Sequence, residues 1–266
     1  MATTSKIPAE IIEIFGRGVI ESDSFFKLPN QHFSRPVYEQ IKRVIENCGG
    51  KWKKKLGGFT FVAGGIERLR EAIGSGETIN VQQVTQFFPT PAHLAARMAA
   101  IFEIKDGHRF LEPSAGHGAL AKALFCEAVN SKLSIECSMI ELDEANTKVL
   151  ATDDYFNRVP RCSAFIMQRD FLQCQIPARG YEFDGVLMNP PFSRGDDIKH
   201  ILHAWEFLKV GGKLVALCAN GPKQNAILKP WSESLGGTWE VLPAGTFKDS
   251  GAKGTNIETV LLTANA

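Results

Sequence analysis

A rigid corner suited to binding a planar amine lies in the second half of the chain. Its residues are Asn189, Pro190, Pro191 and Phe192, and they directly follow the apolar run 183–188, which predicts a buried strand. The prolines fix φ and lack a backbone N–H, so the corner holds its shape and presents carbonyl acceptors. With the Asn189 amide oxygen, these acceptors would draw an exocyclic amine towards a nucleophilic geometry while Phe192 stacks on its ring. A plain turn at a strand end is the alternative.

A glycine-containing loop follows an earlier predicted strand, 108–111, and opens a predicted helix, 118–129. Gly116 and Gly118 would let a cofactor approach the backbone closely. The third glycine of the dinucleotide fingerprint is missing, and Glu112 would repel a pyrophosphate. An acid there suits a cationic or zwitterionic ligand, such as the methionine part of S-adenosylmethionine. An ordinary tight turn is the alternative interpretation.

Acidic residues end the next two predicted strands. Glu141 follows Gly116 by 25 residues, near where wound folds place an acid on the ribose hydroxyls of an adenosine-containing cofactor. Asp143 is the competing candidate, and it is also a natural helix cap. Asp170 could accept from an adenine amino group while Phe171 packs on the base. A strand-ending Asp beside a core Phe is the plainer interpretation of that pair.

The segment 87–91 reads Phe-Phe-Pro-Thr-Pro and precedes an Ala-rich predicted helix that extends to residue 102. Its aromatic and hydroxyl groups, on Phe88 and Thr90, could close over the methionine end of the cofactor. Paired phenylalanines are more often part of a core.

These five motifs together resemble the amino-methyltransferases that use S-adenosylmethionine. Because the glycine loop precedes the Asn-Pro-Pro-Phe corner, their order is similar to that of gamma-ordered DNA adenine-N6 methyltransferases over roughly residues 81–263. The resemblance implies S-adenosylmethionine as cofactor and the N6 amine of a DNA adenine as target. The implied cofactor contacts are Phe88, Thr90, Pro91, Glu112, Pro113, Ser114, Ala115, Gly116, Gly118, Glu141, Asp170 and Phe171, and the implied catalytic residues are Asn189, Pro190, Pro191 and Phe192.

Two features depart from this family. Phe192 stands where many DNA enzymes carry Tyr, and Phe is common among RNA-modifying relatives. The usual carboxy-terminal target-recognition domain does not follow the last predicted strand, so we expect sequence selectivity to come from elsewhere or to be low. An RNA adenine or guanine amino-methyltransferase, a protein glutamine methyltransferase and a non-catalytic cofactor-binding regulator remain alternatives.

Basic residues cluster in one part of a chain that is otherwise balanced in charge. Lys and Arg total 30 against 29 for Asp and Glu, but residues 27–55 hold eight basic and two acidic residues. Lysines would contact phosphates and Trp52 would stack on a base, although a solvated basic strand is an equal alternative. The predicted nucleic-acid contacts are Lys51, Trp52, Lys53, Lys54 and Lys55, together with Lys248 and Lys253 in a Gly-rich stretch.

Apolar runs that alternate with helical patterns predict an α/β fold with a wound, mostly parallel sheet of about seven strands. We assign residues 81–266 to this Rossmann-like methyltransferase domain. Residues 1–80 are expected to form a small α+β appendage that contains a strand-like segment, 49–62, and a linker, 74–76. The expected strands are 108–111, 133–140, 164–168, 183–188, 213–218, 238–242 and 257–263, and the expected helices are 7–15, 37–47, 91–102, 118–129, 143–150, 198–208 and 226–235.

The bulk composition excludes fibrous and disordered proteins. Hydrophobic residues make up 44% and charged residues 22%, as in ordinary globular proteins. The six cysteines form no Cys-x-x-Cys pair, which indicates reduced thiols, a cytoplasmic location and no metal site. No apolar run approaches the roughly 18 residues of a membrane span, so we expect neither export nor membrane insertion.

Overall fold

The computed structural model describes residues 4–61, 64–79, 89–247 and 258–266 of the 266-residue chain. The chain divides into two compact units, Met1–Phe87 and Phe88–Ala266. Three residues predicted to bind ligands, Phe88, Lys248 and Lys253, lie outside the described residues.

The described residues of the N-terminal unit form short strands and three helices. The strands are β1 (Thr4–Lys6), β2 (Val19–Ser22), β3 (Phe25–Lys27), β4 (Gly50–Lys53), β5 (Gly58–Phe61) and β6 (Glu77–Ile79), and the helices are α1 (Ala9–Gly16), α2 (Arg35–Asn47) and α3 (Gly65–Ser75). Strands β2, β3, β5 and β4 form an antiparallel sheet in that order, and β1 pairs with β6. Phe26 and Phe59 pack from this sheet into a core with Ile11, Ile41 and Leu69 of the helices. Helices therefore cover one face of the four-stranded sheet.

Two sequence predictions for this unit need correction. The described residues of the strand-like segment 49–62 form two strands, β4 and β5, joined by a 3-10 turn at Lys54–Leu56. The predicted linker at 74–76 is wrong, because Gly74 and Ser75 are the last residues of α3 and Gly76 ends that helix with a φ of +71°. A left-handed glycine is a common helix terminator, so the Gly-Ser-Gly pattern marked a helix end.

The C-terminal unit contains a seven-stranded sheet, as predicted. Its strands are β7 (His108–Glu112), β8 (Ile135–Glu141), β9 (Cys162–Gln168), β10 (Phe183–Met188), β11 (Leu208–Ala219), β12 (Trp239–Val241) and β13 (Thr259–Asn265). The order across the sheet is β12, β13, β11, β10, β7, β8, β9. Strands β9, β8, β7, β10 and β11 are mutually parallel, and β13 pairs antiparallel with both β11 and β12.

Helices pack on both faces of this sheet. They are α4 (Ala92–Ala99), α5 (Ala119–Asn130), α6 (Glu144–Thr152), α7 (Asp154–Arg158), α8 (Asp196–Trp205) and α9 (Pro222–Ser234). Successive strand residues point to opposite faces, so Leu187 packs in one core with α4 to α7, whereas Val186 and Met188 pack in another with α8 and α9. The fold is therefore the doubly wound α/β class that the sequence predicts.

Some boundaries differ from the prediction. Strand β11 begins at Leu208, five residues before the expected start, and helix α8 ends at Trp205. Gly211 and Gly212 lie inside β11, where such a pair more often marks a turn. All six cysteines are free thiols. No helix within the described ranges is long and apolar enough to cross a membrane.

Candidate active site

The motif residues of the C-terminal unit gather at one edge of its sheet. Strands β7 and β10 are parallel neighbours, with Phe110 paired to Gly185 and Leu111 paired to Val186. The glycine loop after β7 and the Asn-Pro-Pro-Phe corner after β10 therefore leave adjacent strands at the same edge. In open parallel sheets, this carboxyl edge is where ligands bind.

The glycine loop is a tight, buried turn. Gly116 and Gly118 have φ of +55° and +72°, in the left-handed region that favours glycine. A Cβ atom at Gly118 would lie 2.5 Å from a ring carbon of Phe156, so a side chain there would clash. The backbone N–H of Ala115 donates to the Ile140 carbonyl at 3.0 Å, which ties the loop to the next strand. Pro113 is buried and Ser114 is half-buried at the start of this loop.

The carboxylate of Glu141 holds two loops together. One oxygen accepts from the Gly116 N–H at 2.6 Å and the other from the Asp143 N–H at 2.8 Å. A carboxylate oxygen can accept more than one hydrogen bond, so both retain acceptor capacity. Asp143 itself caps helix α6, because its side chain accepts from the Asn146 N–H at 2.9 Å.

Glu112 is directed into the protein. Its side chain is 1% exposed and accepts from the Ala121 N–H at 2.9 Å, in the first turn of helix α5. The pKa of Glu112 is raised to about 8, chiefly by burial and in smaller part by the nearby Glu141 carboxylate, against hydrogen bonds from Ala121 and Leu120 that lower it. The structure therefore gives this acid a helix-capping position that its place in the sequence did not reveal.

Asp170 and Phe171 form a short turn after β9. The Asp170 carboxylate accepts from the Leu172 N–H at 3.0 Å and from the Gln173 side chain at 3.0 Å. The Phe171 ring is 2% exposed and packs against His203 of α8, with the ring centroids 4.9 Å apart. The predicted contacts of this pair with adenine remain a prediction.

A hydrogen bond from a distant segment orients the Asn-Pro-Pro-Phe corner. The Asn189 amide nitrogen donates to the Thr90 hydroxyl oxygen at 3.1 Å, and Thr90 is 8% exposed. Pro91, the next residue, is the N-cap of helix α4. The sequence placed Thr90 with the cofactor contacts and did not predict its bond to Asn189, since 99 residues separate the two. In the corner, Pro190 is buried, whereas Pro191 and Phe192 are half-buried.

A buried acid that the sequence analysis missed anchors the helix after this corner. Asp197 is fully buried in the first turn of α8. One carboxylate oxygen accepts from the Ala219 N–H at 3.0 Å, and both oxygens accept from the Gln224 amide, at 2.9 and 3.0 Å. Burial raises the pKa of Asp197, opposed by these donors. The bonds tie the start of α8 to the end of β11 and to α9, so Asp197 positions the chain that follows Phe192.

The basic cluster of the N-terminal unit is divided between two faces of its sheet. Trp52 pairs with Phe59, a core residue, and so lies on the helix-covered side of β4. Lys51 and Lys53 alternate with Trp52 and lie on the opposite side. Lys54 and Lys55 are exposed in the turn that follows. Strand periodicity could have predicted this division had β4 been recognised.

The described residues contain no group of three or more His, Cys, Asp or Glu side chains that could hold a metal ion.

No family model and no curated protein matches the sequence. Solved structures do match. One is the methyltransferase subunit of a type I restriction-modification system from Streptococcus thermophilus, at 22% identity and a TM-score of 0.54, covering 74% of this chain and 48% of that one.

Two further structures extend this comparison. A protein from Listeria monocytogenes assigned to the class I S-adenosylmethionine-dependent methyltransferases matches at 15% identity and a TM-score of 0.52, covering 87% of this chain and 73% of that one. The chain has the class I methyltransferase fold. A protein from Vibrio vulnificus assigned as the modification subunit of a type I restriction enzyme shares this methyltransferase fold at 17% identity and a TM-score of 0.53, covering 89% of this chain and 51% of that one. The chain thus spans about half the length of the two type I subunits.

Proposed function

We propose that the chain is an S-adenosylmethionine-dependent N-methyltransferase that acts on the N6 amine of adenine in DNA, with residues 81–266 as its catalytic domain. The observation that carries the proposal is the Asn189 amide, held by Thr90 at 3.1 Å on the sheet edge that it shares with the glycine loop. An amide fixed in this way is preorganised to accept a hydrogen bond from an amine.

The residues at this edge fit S-adenosylmethionine. The left-handed conformations of Gly116 and Gly118 hold the loop in a tight turn, beside which the cofactor would lie. Glu141 keeps acceptor capacity for ribose hydroxyls beyond its two backbone bonds. The cationic methionine end would lower the pKa of Glu112, because a positive charge nearby favours the ionised carboxylate. When bound, the cofactor supplies a methyl group on a positively charged sulfur.

The Asn-Pro-Pro-Phe corner would act on the target amine. The Asn189 amide oxygen and the Pro190 carbonyl accept its two hydrogens, which localises the lone pair on nitrogen. Asn189 and Pro190 would thereby direct this lone pair at the methyl group that the cofactor supplies, and the electrons of the carbon–sulfur bond would stay on the sulfur. The methylated nitrogen is then acidic and releases a proton to water, so no strong base is required.

Positioning carries most of the expected acceleration. A target adenine must leave the base stack to reach a pocket at the sheet edge, as in other enzymes that modify bases. Phe192 would stack on the extruded base, and this half-buried ring packs against a core that includes α4 and α5. Well-aligned reactants contribute on the order of 7 to 11 kcal/mol to such reactions.

The similarity in fold to two type I modification subunits supports DNA as the polymer. The decisive experiment incubates the purified chain with cofactor labelled on the methyl group and, separately, duplex DNA, single-stranded DNA, RNA or lysate protein. We expect label in DNA, recovered as N6-methyladenine after digestion, and none with Asn189→Ala. Label in RNA or protein would show that this polymer, and not DNA, is the substrate. Cofactor binding without label in any polymer would refute the enzyme proposal.

A further inference from the structure

The β4–β5 hairpin of the N-terminal unit has the features of a binding element. Its register pairs Gly50 with Phe61 and Lys53 with Gly58, and β4 is an edge strand of the described four-stranded sheet. The turn ends at Gly57, whose φ of +63° closes the hairpin. A ligand at this edge can therefore reach both faces of β4.

Trp52 is held on one of these faces with much of its ring in solvent. Its ring meets that of Phe59 edge-on, with centroids 5.0 Å apart and an interplanar angle of 67°. Phe59 is 1% exposed, so this contact anchors Trp52 to the core. Nevertheless, Trp52 is 49% exposed. A large ring that is anchored to the core by a second ring and remains half exposed offers a surface on which a base can stack.

The rest of the hairpin is positively charged. Residues 50–61 include four lysines, Lys51, Lys53, Lys54 and Lys55, and no acid. Lys51 and Lys53 share the face opposite Trp52. Burial lowers the pKa of Lys51 and repulsion from Lys53 lowers it further, so these two cations lie close enough to interact. An anion bound beside them would relieve that repulsion.

We propose that this hairpin binds a single-stranded segment of nucleic acid along the β4 edge, with Lys51, Lys53, Lys54 and Lys55 contacting phosphates and Trp52 stacking on an unpaired base. The choice of nucleic acid as the polyanion rests on the proposed function. The single-stranded form follows from the exposed Trp52 ring, because a base inside a duplex offers no free face for stacking.

Fluorescence anisotropy on the full-length chain tests the phosphate contacts. The labelled probes are a 12-nucleotide single strand and the duplex of that strand with its complement. Lys51→Gln with Lys53→Gln removes two charges, and Lys54→Gln with Lys55→Gln removes the other two. For each pair we expect the slope of log affinity against log salt to become shallower by about 1.4, at about 0.7 per lost phosphate contact.

The matched control is Lys105→Gln with Lys132→Gln, two exposed lysines in the loops that precede β7 and β8, at the amino ends of these strands. This pair changes the net charge by the same amount and should leave the slope unaltered. If the control pair changes the salt slope as much as the hairpin pairs do, then the proposal that the hairpin lysines contact phosphates is refuted. Thermal melting checks that every variant is folded.

Trp52 tests the stacking contact separately. Trp52→Ala should weaken binding to the single strand about tenfold, whereas Trp52→Phe, which keeps an aromatic face, should retain most of the affinity. Equal affinities of Trp52→Ala and the unmodified chain, or tighter binding to the duplex than to the single strand, would overturn the single-strand assignment.

The outcome is independent of methyl transfer. If the chain labels no polymer but binds the single strand through the hairpin lysines, then the proposed binding site stands and the catalytic proposal is refuted. Labelling of DNA by a chain whose hairpin variants bind with an unchanged salt slope would retain the enzyme and refute this site.

Discussion

The Asn189 amide nitrogen lies 3.1 Å from the Thr90 hydroxyl oxygen and donates a hydrogen bond to it. This bond joins the corner after β10 to the residue immediately before the N-cap of α4. Because the nitrogen is engaged by a buried side chain, the two ends of the amide are not equivalent, and the orientation of its oxygen is fixed. We infer that Thr90 positions Asn189, and the contact with the cofactor that the sequence predicts for Thr90 remains a prediction.

Thr90→Val should impair turnover more than cofactor binding. Valine keeps the shape of threonine but removes the hydroxyl, so Asn189 loses the partner that orients its amide. A lost buried hydrogen bond costs about 1 to 3 kcal/mol, which predicts a fall in single-turnover rate of about 5-fold to 150-fold. Cofactor affinity, measured by calorimetry, should change by less than about threefold. Thr90→Ser, which restores a hydroxyl, should recover most of the rate.

The reverse pattern would return Thr90 to the cofactor site. If Thr90→Val weakens cofactor binding as much as it slows transfer, and Thr90→Ser restores both, then the hydroxyl contacts the cofactor, as the sequence predicted.

Asn189→Ala should abolish transfer while leaving the cofactor bound. Removal of a preorganised hydrogen-bonding group from an active site slows catalysis by about 100-fold or more. The glycine loop and Glu141 are untouched, so the cofactor dissociation constant should stay within about twofold. Asn157→Ala, at an exposed position of α7, is the matched control and should keep full activity. Parallel loss of cofactor binding and transfer would contradict the separate roles of the two loops.

The sheet of the C-terminal unit was predictable because its strands are short apolar runs. The strand 183–188 was predicted with both ends correct, since it is mostly apolar and two prolines follow closely at 190 and 191. Strands of the N-terminal unit such as Phe25–Lys27 were missed, because they are short and do not alternate with helices in the pattern by which the strands of the C-terminal unit were recognised. The end of α3 was mistaken for a linker, because Gly and Ser are common both at helix ends and in linkers.

The candidate site was predictable only as a set of loops. Strand order and direction put those loops at one edge, but side-chain directions depend on partners distant in sequence. Glu112 turns inward to Ala121, and Asn189 bonds to a residue 99 positions earlier. Asp197, which follows the corner, carried no signal in the sequence beyond its place in the first turn of a helix. Its buried bonds to β11 and α9 are tertiary features.

Glu141→Gln should weaken cofactor binding at least about tenfold. The carboxylate accepts from Gly116 and Asp143, and an amide would present N–H hydrogens to one of those donors. A ribose contact can be separated from this structural effect with a cofactor product analogue that lacks the 2′-hydroxyl. The substitution should weaken binding of the ribose form more than that of the deoxyribose form, as measured by calorimetry.

Asp143→Ala provides the comparison for Glu141. Loss of the α6 cap should lower the free energy of unfolding by about 1 kcal/mol and leave cofactor affinity nearly unchanged. If Asp143→Ala instead discriminates between the ribose and deoxyribose forms and Glu141→Gln does not, then Asp143 is the ribose ligand.

Glu112 should make the ligand-free protein less stable as the pH rises. Burial raises the Glu112 pKa from the ordinary 4.5 to about 8. Between these values the unfolded chain binds fewer protons than the folded chain, so the free energy of unfolding falls with increasing pH, by on the order of 1 kcal/mol per pH unit. Glu112→Gln keeps an oxygen for the Ala121 N–H and cannot titrate, so this part of the pH dependence should vanish. Urea unfolding at pH 6, 7 and 8 measures the difference, with Glu103→Gln, at an exposed position, as the control. Parallel stability curves for Glu112→Gln and the unmodified chain would show that Glu112 is already ionised at pH 6.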